Sequence, residues 1–246
     1  MFPIRDHNPS GRVPYVTYAL LALNIGIFLI SLPISDNERA LAQFYYDWAL
    51  LPRRVMEGDG LGGLFTSMFL HGGWLHLAGN MLFLWIFGDN VEDEMGHLRF
   101  AGFYTVAGIA AGLVHVVSDP ASYVPTVGAS GAIAGVMGAY LLLFPKAKVD
   151  ILIIFIVFFR IFPIPAWIML ALWFGMQFVG GLSSVQGTGG VAYWAHAGGF
   201  IAGLMLCVPL WLARGGPRFW RVNDGHPPHP EATYALPSSL PKVKRK

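Results

Sequence analysis

Apolar stretches of roughly membrane-crossing length recur along the whole chain, and they constrain its fold more than any other feature. They fall at 13–33, 72–87, 98–117, 130–144, 163–182 and 191–212. A bilayer core about 30 Å thick takes roughly twenty apolar residues as helix. Only helices and closed barrels satisfy their own backbone polar groups in such a solvent. Charged residues make up 12% of the 246 positions and hydrophobic residues 55%, whereas about a quarter of a soluble domain is charged. The fold class read from this is all-α: a polytopic membrane helical bundle of six transmembrane helices.

The remaining segments organise around those runs. Residues 1–12 read as a short cytoplasmic segment, 13–213 as the membrane domain, and the Pro- and charge-rich stretch 214–246 as a disordered basic tail. Segment 34–70 carries Phe44, Tyr45, Tyr46 and Trp48, and is expected to lie on the membrane surface. Segment 149–162 is apolar and rich in β-branched residues but short, and Pro163 and Pro165 cut it from the next run. The expectation is an interfacial or re-entrant segment, the alternative a long kinked helix. Lys146, Lys148, Arg160, Arg214, Arg218 and Arg221 lie on one side of this topology, and the connections 118–129 and 183–190 carry no Lys or Arg. Both termini are therefore expected in the cytoplasm.

Several classes fall away. A net charge of +2 makes no case for nucleic acid. The single cysteine, Cys207, allows no disulfide framework or cysteine-based metal site and reads as a small buried hydrophobe. No cofactor is expected. A transporter would place charges near mid-membrane or show an internal repeat, and neither is visible. His71 and His76 lack the His-Glu-x-x-His spacing of a zinc protease.

Polar side chains within such runs need a reason. Three clusters have them: His71-Gly-Gly-Trp-Leu-His76-Leu-Ala-Gly-Asn80, Gly128-Ala-Ser130-Gly131, and Ala195-His196-Ala-Gly-Gly199-Phe-Ile-Ala-Gly203. With six spans and both ends inside, spans two, four and six begin on the outer face, and one cluster lies at the start of each. The clusters thus converge on one layer of the membrane. Taken alone, Ser130 fits a helix cap or a packing residue, His196 an interhelical hydrogen bond, and Asn80 a polar tie between helices. Taken together, Ser130 is a nucleophile that needs a base, and His196 is the one histidine at matching depth. No carboxylate shares that depth, so a Ser–His dyad without an acidic third member is expected. His76 and Asn80, at i and i+4, present donors on one helix face, suited to an oxyanion hole completed by the Ser130 N–H. His71 falls off that face and is expected to serve the helix start or the adjoining loop. Gly128 and Gly131 let backbone N–H groups approach a reacting carbonyl. Gly131, Gly135 and Gly138 line one face of span four, and Gly199 and Gly203 one face of span six. If those faces meet, Ser130 and His196 come within reach.

In combination and order, these motifs resemble the rhomboid family of intramembrane proteases, over spans two to six. The resemblance implies a six-helix core, a water-filled cavity open to the outer face, and cleavage of membrane-anchored proteins with the bilayer and transmembrane substrates as partners. It carries Ser130 and His196 over as the dyad, and His76, Asn80 and the Ser130 amide as oxyanion donors. Gly88-Asp89-Asn90-Val91-Glu92 is similar to the family's Gly-x-x-x-Glu helix end, which makes Glu92 structural. Movement of span five and of the loop before span six is the expected substrate gate. A multi-pass protein of a prokaryotic plasma membrane is expected. Two departures stand out. Ala134 occupies the place where some members stack a tyrosine on the histidine, so what holds His196 is left open. Trp48 and Arg53 are not the adjacent Trp-Arg pair of many first loops.

Overall fold

The computed structural model describes residues 2–155, 158–184 and 190–232. Strand β1 (Phe2–Asp6) leads into α1 (Tyr15–Ser31). The following connection folds as three short helices, α2 (Glu38–Trp48), α3 (Pro52–Met56) and α4 (Gly63–Thr66). Asn37 caps α2, its side-chain oxygen accepting from the Arg39 and Ala40 N–H groups at 3.1 Å each. Then come α5 (Trp74–Met95), α6 (His97–Ser118) and α7 (Ser130–Leu143). A hairpin of β2 (Lys148–Phe155) and β3 (Phe158–Pro165) precedes α8 (Ala166–Ser183), α9 (Tyr193–Ala213) and α10 (Pro217–Asn223).

By length and composition, four helical segments among the described residues can cross a membrane: Tyr15–Asp36, His97–Ser118, Ala166–Ser183 and Tyr193–Ala213. Two expected spans differ from these. Helix α5 is long enough but continues past the expected end at 87, and its last two turns carry Asp89, Glu92, Asp93 and Glu94. Helix α7 has only 14 residues. It is the core of the bundle, with Ala132, Ala134, Val136, Met137, Ala139 and Tyr140 at 0–1% exposure. A helix apolar all round and surrounded on every side belongs in the middle.

Glu92 ties α5 to α1. It is 1% exposed and accepts from the N–H groups of Val16 and Thr17 (2.9 and 2.7 Å) and the Thr17 hydroxyl (2.7 Å). A carboxylate at a helix N-terminus satisfies orphan donors and complements the helix dipole.

The structure corrects the reading of 149–162. Its described residues are not helical but extended, in strands β2 and β3, paired in register from Lys148↔Pro165 to Phe155↔Phe158. Strand β1 completes an antiparallel sheet in the order β1-β2-β3, with Phe2 opposite Leu152 and Asp6 opposite Val149. The β-branched run favours strands, and the prolines fall in β3, an edge strand, where they are tolerated. Residues 2–12 are accordingly part of the fold. Buried Asp150 accepts from Arg5 and pairs with His7, each at 2.7 Å.

The tail differs as well. Helix α10 folds back onto the bundle: the Trp220 indole N–H donates to the Leu142 carbonyl at 2.8 Å, and Phe219 is 8% exposed near Phe144. Order therefore extends past 214, and residues 233–246 lie outside the described residues. Cys207 is fully buried in α9.

Candidate active site

Ser130 is the first residue of α7, and His196 sits in the first turn of α9. How near they come depends on the seam between the two helices. A Cβ on Gly199 would strike the Gly131 carbonyl, one on Gly203 the Gly135 carbonyl, and one on Gly138 the Phe200 carbonyl. On α6, the Cβ atoms of Ala111 and Ala107 lie only 2.7 and 2.6 Å from where side chains on Gly131 and Gly135 would begin. Small residues let backbones approach this closely. At the end of the seam, His196 Nε2 is 2.7 Å from Ser130 Oγ.

The other ring nitrogen answers what holds the imidazole. His196 Nδ1 lies 2.8 Å from Gln177 Oε1 on α8. Gln177 Nε2 donates to the Trp173 carbonyl at 3.3 Å, which sets the orientation of the amide. An amide oxygen only accepts, so Nδ1 carries the hydrogen and Nε2 is left to accept from the serine hydroxyl. The Trp173 ring lies beside the imidazole, with centroids 5.8 Å apart and planes at 31°. The ring contact missing at Ala134 of α7 is thus supplied from α8. Among the described residues, the hydrogen-bond partners of the imidazole are Ser130 and Gln177, neither a carboxylate.

Reading the sequence missed Gln177 and Trp173. A signal was there: Gln177 is the one polar side chain between Trp167 and Gly181, and a polar group inside an apolar run asks for a partner. Trp173 precedes it by four residues, on the same helix face.

The donors of α5 flank the serine. Gly128 has φ +132°, and a Cβ there would stand 2.7 Å from His76 Nε2 and 3.5 Å from Ser130 Oγ. Glycine at 128 therefore serves twice, adopting a backbone conformation that side chains disfavour and leaving room for the His76 ring beside the hydroxyl. Asn80 is 8% exposed and donates through Nδ2 to His71 Nε2 at 2.9 Å. One of its two amide hydrogens is taken by this bond, and the other is left for the cavity. His71 is therefore the direct partner of Asn80, a closer role than the helix-start or loop support expected of it. The His71 and His76 rings pack edge to face at 5.1 Å.

His76, Asn80, Ser130, Trp173 and His196 all line one cavity of about 940 Å³. In it a serine hydroxyl faces an acceptor nitrogen whose ring is anchored from behind, with amide and imidazole donors alongside. Such a set can deprotonate a hydroxyl and stabilise charge developing nearby.

Comparison with known proteins gives the family. The rhomboid domain family model matches residues 59–213. Over 197 residues the chain is 30% identical to the mitochondrial Rhomboid protein 1 of Saccharomyces cerevisiae, covering 77% of this chain and 51% of that protein. It is 31% identical over 206 residues to the rhomboid protease GluP of Bacillus subtilis, covering 82% and 36%. It is 39% identical over 136 residues to the putative rhomboid protease YdcA of Bacillus subtilis, covering 52% and 61%. The matched region spans less than two thirds of each of these relatives. Ser130, His196, Gln177, His76 and Asn80 all lie inside the stretch that the family model matches, and the chain is an integral membrane protein that belongs to the rhomboid family.

Proposed function

We propose that the chain is an intramembrane serine endopeptidase that hydrolyses peptide bonds of membrane-anchored proteins near the outer part of the bilayer. The observation that carries the reading is the 2.7 Å approach of His196 Nε2 to Ser130 Oγ inside the cavity, with Nδ1 anchored on Gln177.

In this reading Ser130 Oγ attacks the substrate carbonyl carbon while its proton passes to His196 Nε2. The tetrahedral oxyanion receives hydrogen bonds from His76, the second Asn80 amide hydrogen and the Ser130 N–H. His196 then gives its proton to the leaving nitrogen, the C–N bond breaks, and an acyl ester remains on Ser130. A water molecule deprotonated by His196 attacks the ester, and the new carboxyl product leaves with Ser130 restored. Gln177 accepts the Nδ1 hydrogen throughout, keeping Nε2 the reactive nitrogen.

The proposed topology has six spans, with α5 and α7 crossing beside the other four segments and both termini cytoplasmic, as the Lys and Arg distribution suggests. At 1.5 Å per residue α7 is about 21 Å long, about 9 Å short of the hydrocarbon core. That shortfall sinks Ser130 below the outer face while keeping it within reach of water. A prokaryotic plasma membrane belongs to this proposal rather than to the comparisons, whose relatives include a mitochondrial protein and bacterial ones. Helix α8 is the proposed gate. It exposes Trp167, Met176 and Val179 on its outer side, and the loop expected to move with it lies outside the described residues at 185–189.

The test is cleavage of a single-span reporter in proteoliposomes by the parent, Ser130→Ala and His196→Ala. The expected result is cleavage near the outer face by the parent and none by either variant. Equal cleavage by all three would overturn the assignment.

A further inference from the structure

The β2–β3 hairpin has no part in the chemistry proposed for Ser130. The chain enters α7 at Ser130 and leaves it at Leu143, so β2, which begins at Lys148, starts from the opposite end of the bundle. Strand β3 ends at Pro165, and α8, long and apolar enough to cross a membrane, begins at Ala166. The sheet is thus joined without a loop to a membrane-crossing helix.

Cross-strand register fixes which way the hairpin faces. Val149 lies opposite Ile164, Ile151 opposite Phe162 and Ile153 opposite Arg160. Opposed residues share a face of the sheet, as do alternate residues along a strand. Val149 and Ile151 are buried in the core of the bundle, and Ile153 and Ile164 pack against it. Phe162 and Arg160 therefore continue the face turned toward the helices, but beyond the helices' cover: Phe162 is 40% exposed, and Arg160 is exposed too. The other face carries Lys148 and Asp150 near its base, paired with Glu231 and with Arg5 and His7. Further out it carries Ile161 and Phe159, 38% and 67% exposed. The outer part of β3 is thus exposed and apolar on both faces, save for one side chain. Arg160 is the only Lys, Arg, Asp or Glu between Asp150 and Arg214. Its guanidinium carbon stands 5.9 Å from the Phe162 ring, and among the described residues it meets no carboxylate.

We propose that the outer part of the hairpin lies in the headgroup region of the leaflet opposite Ser130, with Arg160 holding the phosphate of an anionic phospholipid. Phe159, Ile161 and Phe162 then continue the lipid-facing surface of α8, whose first turn exposes Trp167. Aromatic rings and a long cationic side chain belong at that depth. A guanidinium offers a phosphate two parallel N–H bonds. An anionic headgroup leaves that attraction unopposed, whereas choline brings a cation of its own. A second copy of the chain is a poorer partner for β3. Pro163 and Pro165 remove two backbone donors from the strand, and antiparallel pairing about the exposed stretch sets two Arg160 side chains against each other. The proposal rests on the membrane reading of α8 and not on the protease reading, so Ser130→Ala should retain it.

The test uses the full-length chain in vesicles of phosphatidylcholine and phosphatidylglycerol, with a nitroxide on Phe162→Cys or Phe159→Cys. Both positions are exposed, and the native Cys207 is buried out of reach of the label. Met205→Cys, exposed midway along α9, gives the lipid reference. At 159 and 162, as at 205, collisions with oxygen should outweigh collisions with a water-soluble nickel chelate. Collisions dominated by the nickel chelate would place the hairpin in water and overturn the proposal. Dipolar broadening between labels at 159 or 162 would assign β3 to a second copy, and overturns it too. Native mass spectrometry of the unlabelled chain then compares retained phosphatidylglycerol with phosphatidylcholine. Arg160→Gln should lower that ratio about fivefold, the worth of one cation at an anionic surface. An unchanged ratio would remove Arg160 from lipid recognition and overturn the assignment.

Discussion

Gln177 Oε1 and His196 Nδ1 lie 2.8 Å apart across the contact between α8 and α9. The amide stands where a serine hydrolase commonly has a carboxylate. It can hold the same tautomer and ring orientation without placing a charge inside the membrane, where a carboxylate is expensive. Because Gln177 rides on α8, any outward movement of that helix also loosens the base.

The first prediction concerns this positioning residue. Gln177→Ala should lower kcat by about 10²-fold, the scale of a 1 Å misplacement, with KM little changed. Gln177→Glu keeps an acceptor at the same position and should recover much of the rate. Steady-state cleavage of a reporter in proteoliposomes reads both. An unchanged kcat in Gln177→Ala would remove Gln177 from the mechanism.

Oxyanion donors differ in kind from their supports. His76→Ala and Asn80→Ala should each cost about 10²–10³-fold in kcat. His71→Ala removes only the partner that orients Asn80 and should cost less, about tenfold. A larger loss for His71→Ala than for Asn80→Ala, in the same assay, would reverse the assigned roles.

The glycine seam should not tolerate a side chain. Gly199→Leu meets the Gly131 carbonyl and is expected to destabilise the fold by ~3 kcal/mol, the upper part of the usual overpacking range. Cleavage should be abolished as Ser130 and His196 part. Thermal unfolding in detergent and reporter cleavage check the two effects separately.

Asp6 makes stability depend on pH. Burial, and then the charge of Asp89, push its carboxyl up from 3.8 to about 8. The Tyr140 hydroxyl donates to it at 3.1 Å and opposes the rise without cancelling it. A carboxyl whose folded value is raised contributes stability that is full below its unfolded value. That contribution declines as pH rises and is lost through about 8. In lipid-free detergent the melting temperature should therefore fall from mildly acid conditions to beyond pH 8, and Asp6→Asn should flatten that fall. The same slope in parent and variant would show that another group is responsible.

Much of this was legible in the chain. The length and apolarity of the runs fixed a membrane helical bundle, because lipid offers backbone polar groups no partner outside a helix or barrel. Ser130, His196, His76 and Asn80 stood out because polar groups in apolar runs carry a cost that only function or packing offsets. Other features were hidden for a shared reason. The β2–β3 hairpin reads as a short apolar run, and such runs look alike in strand and helix until a partner strand is known. That partner, β1, lies more than 140 residues away, with Asp6 opposite Val149. The order of α10 depends likewise on distant contacts, among them the hydrogen bond from Trp220 to Leu142 and the packing of Phe219 near Phe144.

What the sequence determined by itself was the solvent of the fold and the residue types available for chemistry, since both follow from local composition and spacing. Tertiary structure decided the pairings: Gln177 behind His196, His71 behind Asn80, Asp6 beside Asp89. Each joins side chains from separate elements or turns, and a hydrogen bond of about 3 Å depends on how helices pack in space. No periodicity along the chain encodes that distance.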